Sequence, residues 1–424
     1  MFLRSKFQIE VQKVMICHCR SCNAPLVHTL VNLGLSPLSN AYVKEEFLGK
    51  GEMFYPLHVQ VCHECWLVQL EEFERAENIF NDEYAYFSSY SSSWLAHAKQ
   101  YSEAMIVRFG LDAASQVVEI ASNDGYLLQN FVSAGIPALG VEPSGNTAEV
   151  AMRKDIPTWV KFFGIATAHE LVAAGHAADL LLGNNVLAHV PDINDFVGGL
   201  KVALKQSGVI TMEFPHLLNL IRHNQFDTIY HEHFSYLSLL AVEHLFTRHG
   251  LSLFDVQELP THGGSLRIFA QHMQGPHAVQ PGLQAMREKE AAAGLGILAT
   301  YARFSARVNE TKRALLSFLI KAKEQGLRVA GYGAPAKGNT LLNYCGVRTD
   351  LIDFTVDASP HKQGTWLPGT RIPVYAPERL TEAKPDIVLI LPWNLQEEIV
   401  AAHGYIREWG GRFAIPVPHV EFVA

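Results

Sequence analysis

The sequence predicts an α/β protein of two parallel-sheet units with helices on both faces, preceded by a small cysteine-bearing module. Three observations carry this. From Gln116 onward, short apolar runs rich in Val, Ile and Leu alternate with helical patterns, and a second alternation starts at Arg328. Five of the six cysteines fall in the first 65 residues, four of them in two C-x-x-C pairs. At 424 residues the chain exceeds what one hydrophobic core fills.

The expected division is a metal module over 1–75, a nucleotide-type α/β domain over 76–275, and a helical bridge with a second α/β domain over 276–424. In the module, Cys19-Arg20-Ser21-Cys22 and Cys62-His63-Glu64-Cys65 supply four thiolates at chelating spacing, which points to one closed, structural zinc site. Redox thiols or unrelated buried cysteines are the plainer explanations, and Cys17 stands close enough to replace Cys19. Short strands are expected at His58 to Cys62 and Trp66 to Leu70. A Tyr/Ser-rich stretch containing Tyr84 and Tyr86 then leads into a helix, Trp94 to Phe109.

In the middle domain, strands are expected at Gln116 to Ile120, Ala138 to Glu142, Thr158 to Phe163, Asp179 to Leu182 and Val209 to Phe214. Helices are expected at Tyr126 to Ser133, near Asn146 to Arg153, and at Asp192 to Lys205. Leu253 to Glu258 and Gly264 to Gln271, split by a short Pro/His/Gly turn, predict an antiparallel hairpin closing the sheet. Residues 281–326 read as one or two long helices that act as a bridge. Beyond them, Arg328 to Asn339 (RVAGYGAPAKGN) opens the second unit, with strands at Ile352 to Val356, Asp386 to Leu391 and Phe413 to Val417.

Two stretches carry chemistry. In Glu119-Ile120-Ala121-Ser122-Asn123-Asp124-Gly125, an acidic residue on strand one runs into a tight turn, and Glu142 ends strand two. Such a turn lets backbone approach a ligand, and an acid at the second strand end accepts from ribose hydroxyls. Ala121 and Asn123 stand where the general pattern has glycine, and Asn tolerates the left-handed conformation. The second stretch is Tyr230-His231-Glu232-His233-Phe234-Ser235-Tyr236, a loop between a strand and a helix (Leu239 to Arg248). Two imidazoles, a carboxylate and two phenols in so short a loop point to proton transfer. A net charge of −8 supplies no footprint for nucleic acid or an anionic membrane. No apolar run reaches the ~18 residues of a membrane span, and the first residues have no signal-peptide core, so a cytoplasmic location is expected.

The turn from Glu119 to Gly125 with Glu142 resembles the donor site of S-adenosylmethionine-dependent methyltransferases. Joined with the paired cysteine knuckles, Asn185-Val186-Leu187-Ala188-His189-Val190-Pro191-Asp192, YHEHFSY and GYGAPAKG, the whole chain resembles the C-methyltransferases acting on nucleotide-linked 4-keto-6-deoxy sugars. That resemblance implies an N-terminal zinc module, a central Rossmann-like class I methyltransferase domain, and a C-terminal Rossmann-like domain that helps hold the sugar nucleotide. It implies S-adenosylmethionine at Glu119, Ala121, Asn123, Gly125, Glu142 and Asn185. It further implies His233 as the base that removes the C3 hydrogen, with Tyr230 and Glu232 beside it.

His189, at the end of the fourth strand, is expected to donate to the C4 oxygen; a strand-end histidine capping the next helix is the plainer role. Glu232 either orients an imidazole or binds a sugar hydroxyl, and whether His231 takes part is left open. Lys337, at a helix N-terminus, and Arg267 are candidates for phosphate or sugar, each against the ordinary role of a solvated cation. Tyr84 and Tyr86 are candidates for lining the pocket. Three other classes compete: a zinc hydrolase using His231 and His233, an NAD-dependent enzyme using GYGAPAKG, and a non-enzymatic binding module.

Overall fold

A computed structural model describes residues 17–75 and 87–423. Tyr84 and Tyr86 lie outside the described residues. Three sheets organise the rest.

The first is antiparallel: β1 (His28–Ser36), β2 (Tyr55–Val61) and β3 (Val68–Leu70) pair in that order. The central sheet begins with β4 (Val117–Ile120), β5 (Ala138–Glu142), β6 (Thr158–Val160), β7 (Ala178–Asn184) and β8 (Leu204–Pro215), all parallel. Next, β9 (Ser235–Tyr236) leaves the central domain and pairs with β3 as a fourth strand of the N-terminal sheet. The tail of the YHEHFSY stretch is therefore strand rather than free loop. The hairpin β10 (Leu251–Leu259) and β11 (Ser265–His272) completes the central sheet in the order β10-β11-β8-β7-β4-β5-β6, with β11 antiparallel to both neighbours.

In β4 and β5 every position is buried, and alternate residues serve opposite faces: Val117 joins one core and Val118 the other. That is why these strands read as continuous apolar runs. The helix Ser92–Phe109 covers one face through Trp94, Ala98, Tyr101 and Met105. Ser91 caps its first turn and Gly110 ends it in the left-handed conformation. A helix at Ile165–Ala173, which the sequence reading passed over, bridges β6 and β7.

The bridge is three helices, Pro281–Ala292, Leu298–Ala302 and Phe304–Glu324, rather than one or two. The last buries Phe304, Val308, Leu315 and Leu319 in one core with Leu30 and Val59 of the N-terminal sheet and Leu341 and Leu342 of the C-terminal unit. The C-terminal sheet comprises β12 (Val329–Tyr332), β13 (Thr355–Val356), β14 (Thr365–Trp366), β15 (Pro373–Tyr375), β16 (Ile387–Ile390), β17 (Arg412–Ile415) and β18 (Glu421–Val423), ordered β14-β15-β13-β12-β16-β17-β18. Its five inner strands are parallel and its two outer ones antiparallel. In an open α/β sheet the ligand crevice lies at the carboxyl ends where strand order reverses. That is between β4 and β7 in the central sheet, and between β12 and β16 in the C-terminal one.

Candidate active site

At the central switch point the turn after β4 takes its shape from three residues with positive φ: Ala121 (57°), Asn123 (49°) and Gly125 (74°). At Gly125 the positive φ itself favours glycine, and an added side chain would also meet Ile156 Cδ1 at 2.4 Å and Ala151 Cβ at 3.2 Å. Glu142, at the end of β5, accepts from the amides of Asn123 (2.8 Å) and Ser144 (2.9 Å) and so pins the turn. Burial pushes its carboxyl up, opposed by those bonds. Glu119 is fully buried, and desolvation first and Glu142 second push it well above the usual range. Asn185, just past β7, also has positive φ (55°).

Buried polar atoms around this edge find no partner among the described residues: Asp124 Oδ1, Ser122 Oγ, Asn184 Nδ2 and Asn185 Oδ1. Unsatisfied polar groups at a switch point fit a polar nucleoside ligand. The segment after the Tyr/Ser-rich stretch lies on the turn, with the Ser88 amide donating to Asn123 Oδ1 at 2.8 Å and Ser89 bonded to Asp124.

The YHEHFSY stretch starts beside this edge, and its three central side chains go three ways. His231 packs against the N-terminal module, donating to the Pro56 carbonyl (3.2 Å) and set edge-on to Tyr55 and Phe73. Glu232 accepts from the side-chain amide of Asn40 at 2.7 and 2.9 Å, and burial pushes its carboxyl up to about 7. The Glu232 side chain thus ties the loop to the module, while its backbone carbonyl faces His189. His233 turns back to the central domain: its ring lies 4.0 Å from that of Tyr230 and 4.7 Å from that of His189. Phe234 anchors the turn by donating to the Ala188 carbonyl (2.8 Å) while its own carbonyl accepts from Leu70 (3.0 Å).

Both active-face imidazoles are held in one tautomer. His233 Nδ1–H donates to the Thr228 carbonyl (2.8 Å) and His189 Nδ1–H to that of Glu232 (2.7 Å). When neutral, each ring therefore presents Nε2 as an acceptor. Desolvation lowers the pKa of His189 to about 4. Desolvation, then the charges of His189, His262 and Lys337, hold His233 well below its ordinary value.

The opposite wall comes from the C-terminal domain. Lys337, in the first turn of the helix Ala336–Cys345, donates to Asn394 Oδ1 (2.6 Å) and stands 4.8 Å over the Trp393 ring. Trp393 Nε1 donates to Asp227 (2.6 Å), whose carboxyl burial pushes up to about 6 against the Lys337 charge. Thr340 donates to the Ile229 carbonyl (2.9 Å), closing the seam just ahead of Tyr230.

Arg267 stands elsewhere. It is buried, ion-paired with Glu213 at 2.6 Å and stacked on Tyr101, so the phosphate or sugar contact expected of it has no free guanidinium to rest on. The sequence reading passed over His262, Asp227 and Trp393. All three sit in turns just beyond strands or in short loops, the position where such a site draws its residues.

The four cysteines of the two knuckles converge. Their sulfurs all lie within 4.8 Å of one another, with Cys19–Cys65 at 3.5 Å and Cys22–Cys62 at 3.4 Å. A tetrahedral zinc with Zn–S bonds of about 2.3 Å needs edges of about 3.8 Å. Gln69 Nε2 donates to Cys19 Sγ at 3.1 Å, the outer support expected of a thiolate ligand. Among the described residues this is the one such cluster, Cys17 stands outside it, and His231 and His233 face opposite ways.

The strand order β6-β5-β4-β7-β8-β11-β10 of the central sheet, with its donor turn and a four-thiolate zinc module, defines a zinc-bearing S-adenosylmethionine-dependent methyltransferase. Residues 19–80 match the family described as a zinc binding domain, 94–256 a methyltransferase domain, and 260–418 the C-methyltransferase C-terminal domain. C-methyltransferase NovU of Streptomyces niveus is 35% identical over 409 residues, covering 96% of this chain and 97% of the relative. The chain belongs to the S-adenosylmethionine-dependent C-methyltransferase family. Among solved structures, a methyltransferase from Thermotoga maritima is 15% identical with a TM-score of 0.34, covering 46% of this chain and 99% of the other. One from Clostridium acetobutylicum is 12% identical with a TM-score of 0.35, covering 43% and 92%.

No helix among the described residues is long and apolar enough to cross a membrane.

Proposed function

We propose that the enzyme methylates C3 of a nucleotide-linked 4-keto-6-deoxy sugar, with His233 as the base. One observation carries this reading: the Thr228 carbonyl holds the His233 proton on Nδ1, so an acceptor Nε2 is offered beside His189 and Tyr230 at the carboxyl edge of the sheet. Carbon at C3 becomes nucleophilic only after its proton is removed, and a ketone at C4 makes that removal feasible by taking the charge onto oxygen. His233 Nε2 accepts the C3 proton, the C–H electron pair forms the C3–C4 double bond, and the former carbonyl pair moves to O4. When bound, S-adenosylmethionine would supply the electrophilic methyl: the enolate pair bonds C3 to it as the carbonyl re-forms, and the methyl–sulfur pair returns to sulfur, leaving the neutral thioether. Glu119, Ala121, Asn123, Gly125, Glu142 and Asn185 are the proposed donor-site residues, with the αL turn giving backbone access and Glu142 the remaining lone pairs for ribose hydroxyls.

Tyr230 packs against the His233 ring at a tilt of 34° and shapes the approach to it. Lys337, with the helix N-terminus it occupies, is the proposed contact for the anionic part of the nucleotide. Its charge also favours a neutral His233, which a base requires. His189 was expected to donate to O4. Its Nδ1 proton is given to the Glu232 carbonyl, so the neutral ring accepts at Nε2 and the donor must come from another residue.

The test is incubation with S-adenosylmethionine and a panel of nucleotide 4-keto-6-deoxy sugars, read by mass. Deuterium exchange at C3 isolates the base step: H233N should lose exchange while still binding the methyl donor, and exchange at the wild-type rate would refute the assignment.

A further inference from the structure

The hairpin turn between β10 and β11 holds a third imidazole whose hydrogen bonding differs from the other two. His262, Gly263 and Gly264 have consecutive positive φ values of 54°, 86° and 112°, and His262 is the one that carries a side chain. A non-glycine residue in this region stores strain and persists only where its surroundings hold it. They do: Thr261 Oγ1 bonds Glu213 at 2.9 Å, Gln225 donates to the Gly263 carbonyl at 2.8 Å, and a side chain at Gly263 would strike Trp393 at 2.8 Å. The turn is thus wedged between the central sheet and the C-terminal wall.

The His262 ring sits edge-on to Trp94, centroids 5.1 Å apart, and its Nε2 accepts from the Asn185 side-chain amide at 2.9 Å. Asn185 lies just past β7, in the turn that leads to His189, so the ring lies at the boundary between donor site and base. With Nε2 accepting, the ring proton resides on Nδ1, which makes His262 a hydrogen-bond donor where His189 and His233 are acceptors. Lys337 is the alternative donor, but its ammonium, held by Asn394 over Trp393, is assigned above to the anionic part of the nucleotide.

We propose that His262 is a catalytic residue that donates a hydrogen bond from Nδ1 to the substrate's ketone oxygen as the enolate forms. Its proton stays on nitrogen, so no net transfer is needed: O4 gains negative charge when C3–H breaks and loses it when the C–CH3 bond forms. This rests on the keto-sugar reading above. The left-handed backbone dictates the variants, since Gly relieves the strain while deleting the ring, and Asn tolerates the conformation while keeping an amide donor.

The experiment first establishes C3–H exchange in D2O for wild type on a nucleotide 4-keto-6-deoxy sugar. If wild type neither exchanges nor methylates any such sugar, the keto-sugar reading fails and this proposal with it. If wild type exchanges, H262G should lower both the exchange rate and kcat about 100-fold, the cost of removing one oxyanion donor. KM and donor affinity should stay within threefold, H262N should recover part of the loss, and added imidazole should rescue H262G. Exchange and kcat of H262G within threefold of wild type would overturn the proposal. So would weakened S-adenosylmethionine binding with exchange intact, since His262 would then merely position Asn185.

Discussion

The two α/β units share a ground plan and differ at the edge where ligands bind. Each has a strand, a tight turn, a helix and a second strand ending in an acid, Glu142 in one and Asp357 in the other. Each acid accepts backbone amides of its own turn: Asn123 and Ser144 for Glu142, Ala334 (2.7 Å) and Ser359 (2.8 Å) for Asp357. The C-terminal turn is then filled by the chain itself. Tyr42 from the N-terminal module and Lys362 both donate to the Ala334 carbonyl, and Lys362 pairs with Asp357 at 3.6 Å. In the central unit the turn instead leaves buried polar atoms without partners among the described residues. Strand order prepares a site at either edge, but the one already stoppered by a tyrosine is unsuited to a dinucleotide. That argues against the NAD-dependent reading of GYGAPAKG.

The zinc module supplies that stopper and the partner of β9, so stripping it should have the largest effect. C62S or chelation should release one zinc per chain and unfold the module, because metal-binding free energy is folding free energy. Metal analysis alongside thermal denaturation checks this; a metal-free protein with unchanged stability and activity would sever the module from the site. Next in size, H233N should lower C3 exchange by about 1,000-fold, within the range for a general base.

The two acids then separate the two edges. E142Q should weaken S-adenosylmethionine binding about tenfold or more, as losing hydrogen bonds to a charged group does, whereas D357N should leave donor affinity within twofold and cost about 1–3 kcal/mol of stability. Calorimetric titration and denaturant unfolding read the pair; equal losses of donor affinity would erase the distinction.

A smaller effect concerns pH. As the proposed base, His233 must be neutral to act, and its pKa is depressed, so kcat/KM should stay level down through the ordinary histidine range near pH 6.5 and fall only at lower pH. His189, His262 and Lys337 are the charges that bear on it, and K337M, which removes a cation, should move the acid limb upward. An unmoved limb would detach the C-terminal wall from the base. The same depression makes stability rise with pH below 6.5, since the unfolded chain binds that proton and the folded one does not. Least of all, Y42F should cost about 0.5–1.5 kcal/mol and leave methyl transfer unchanged.

Much of the site was legible because its residues are neighbours in sequence. The knuckles, the Glu119–Gly125 turn and the YHEHFSY cluster announce themselves by spacing. Which way each side chain of that cluster points was not legible. His231, Glu232 and His233 are consecutive, yet β9 pairing with a strand over 160 residues upstream sends the first two to the module and the third back toward His189 of the central domain. Arg267 looked like a free cation because its partner Glu213 lies on a neighbouring strand, 54 residues away. His262 looked like a turn residue because nothing local reports that Asn185 and Trp94 face it.

Sequence alone determined the three-part order, the four thiolates and the parallel strands, because ligand spacing and hydrophobic period are local properties. Tertiary structure decided which imidazoles accept and which donates, and which of two similar edges stays open. Those depend on carbonyls and side chains delivered by distant segments, and no local pattern encodes where a distant segment packs.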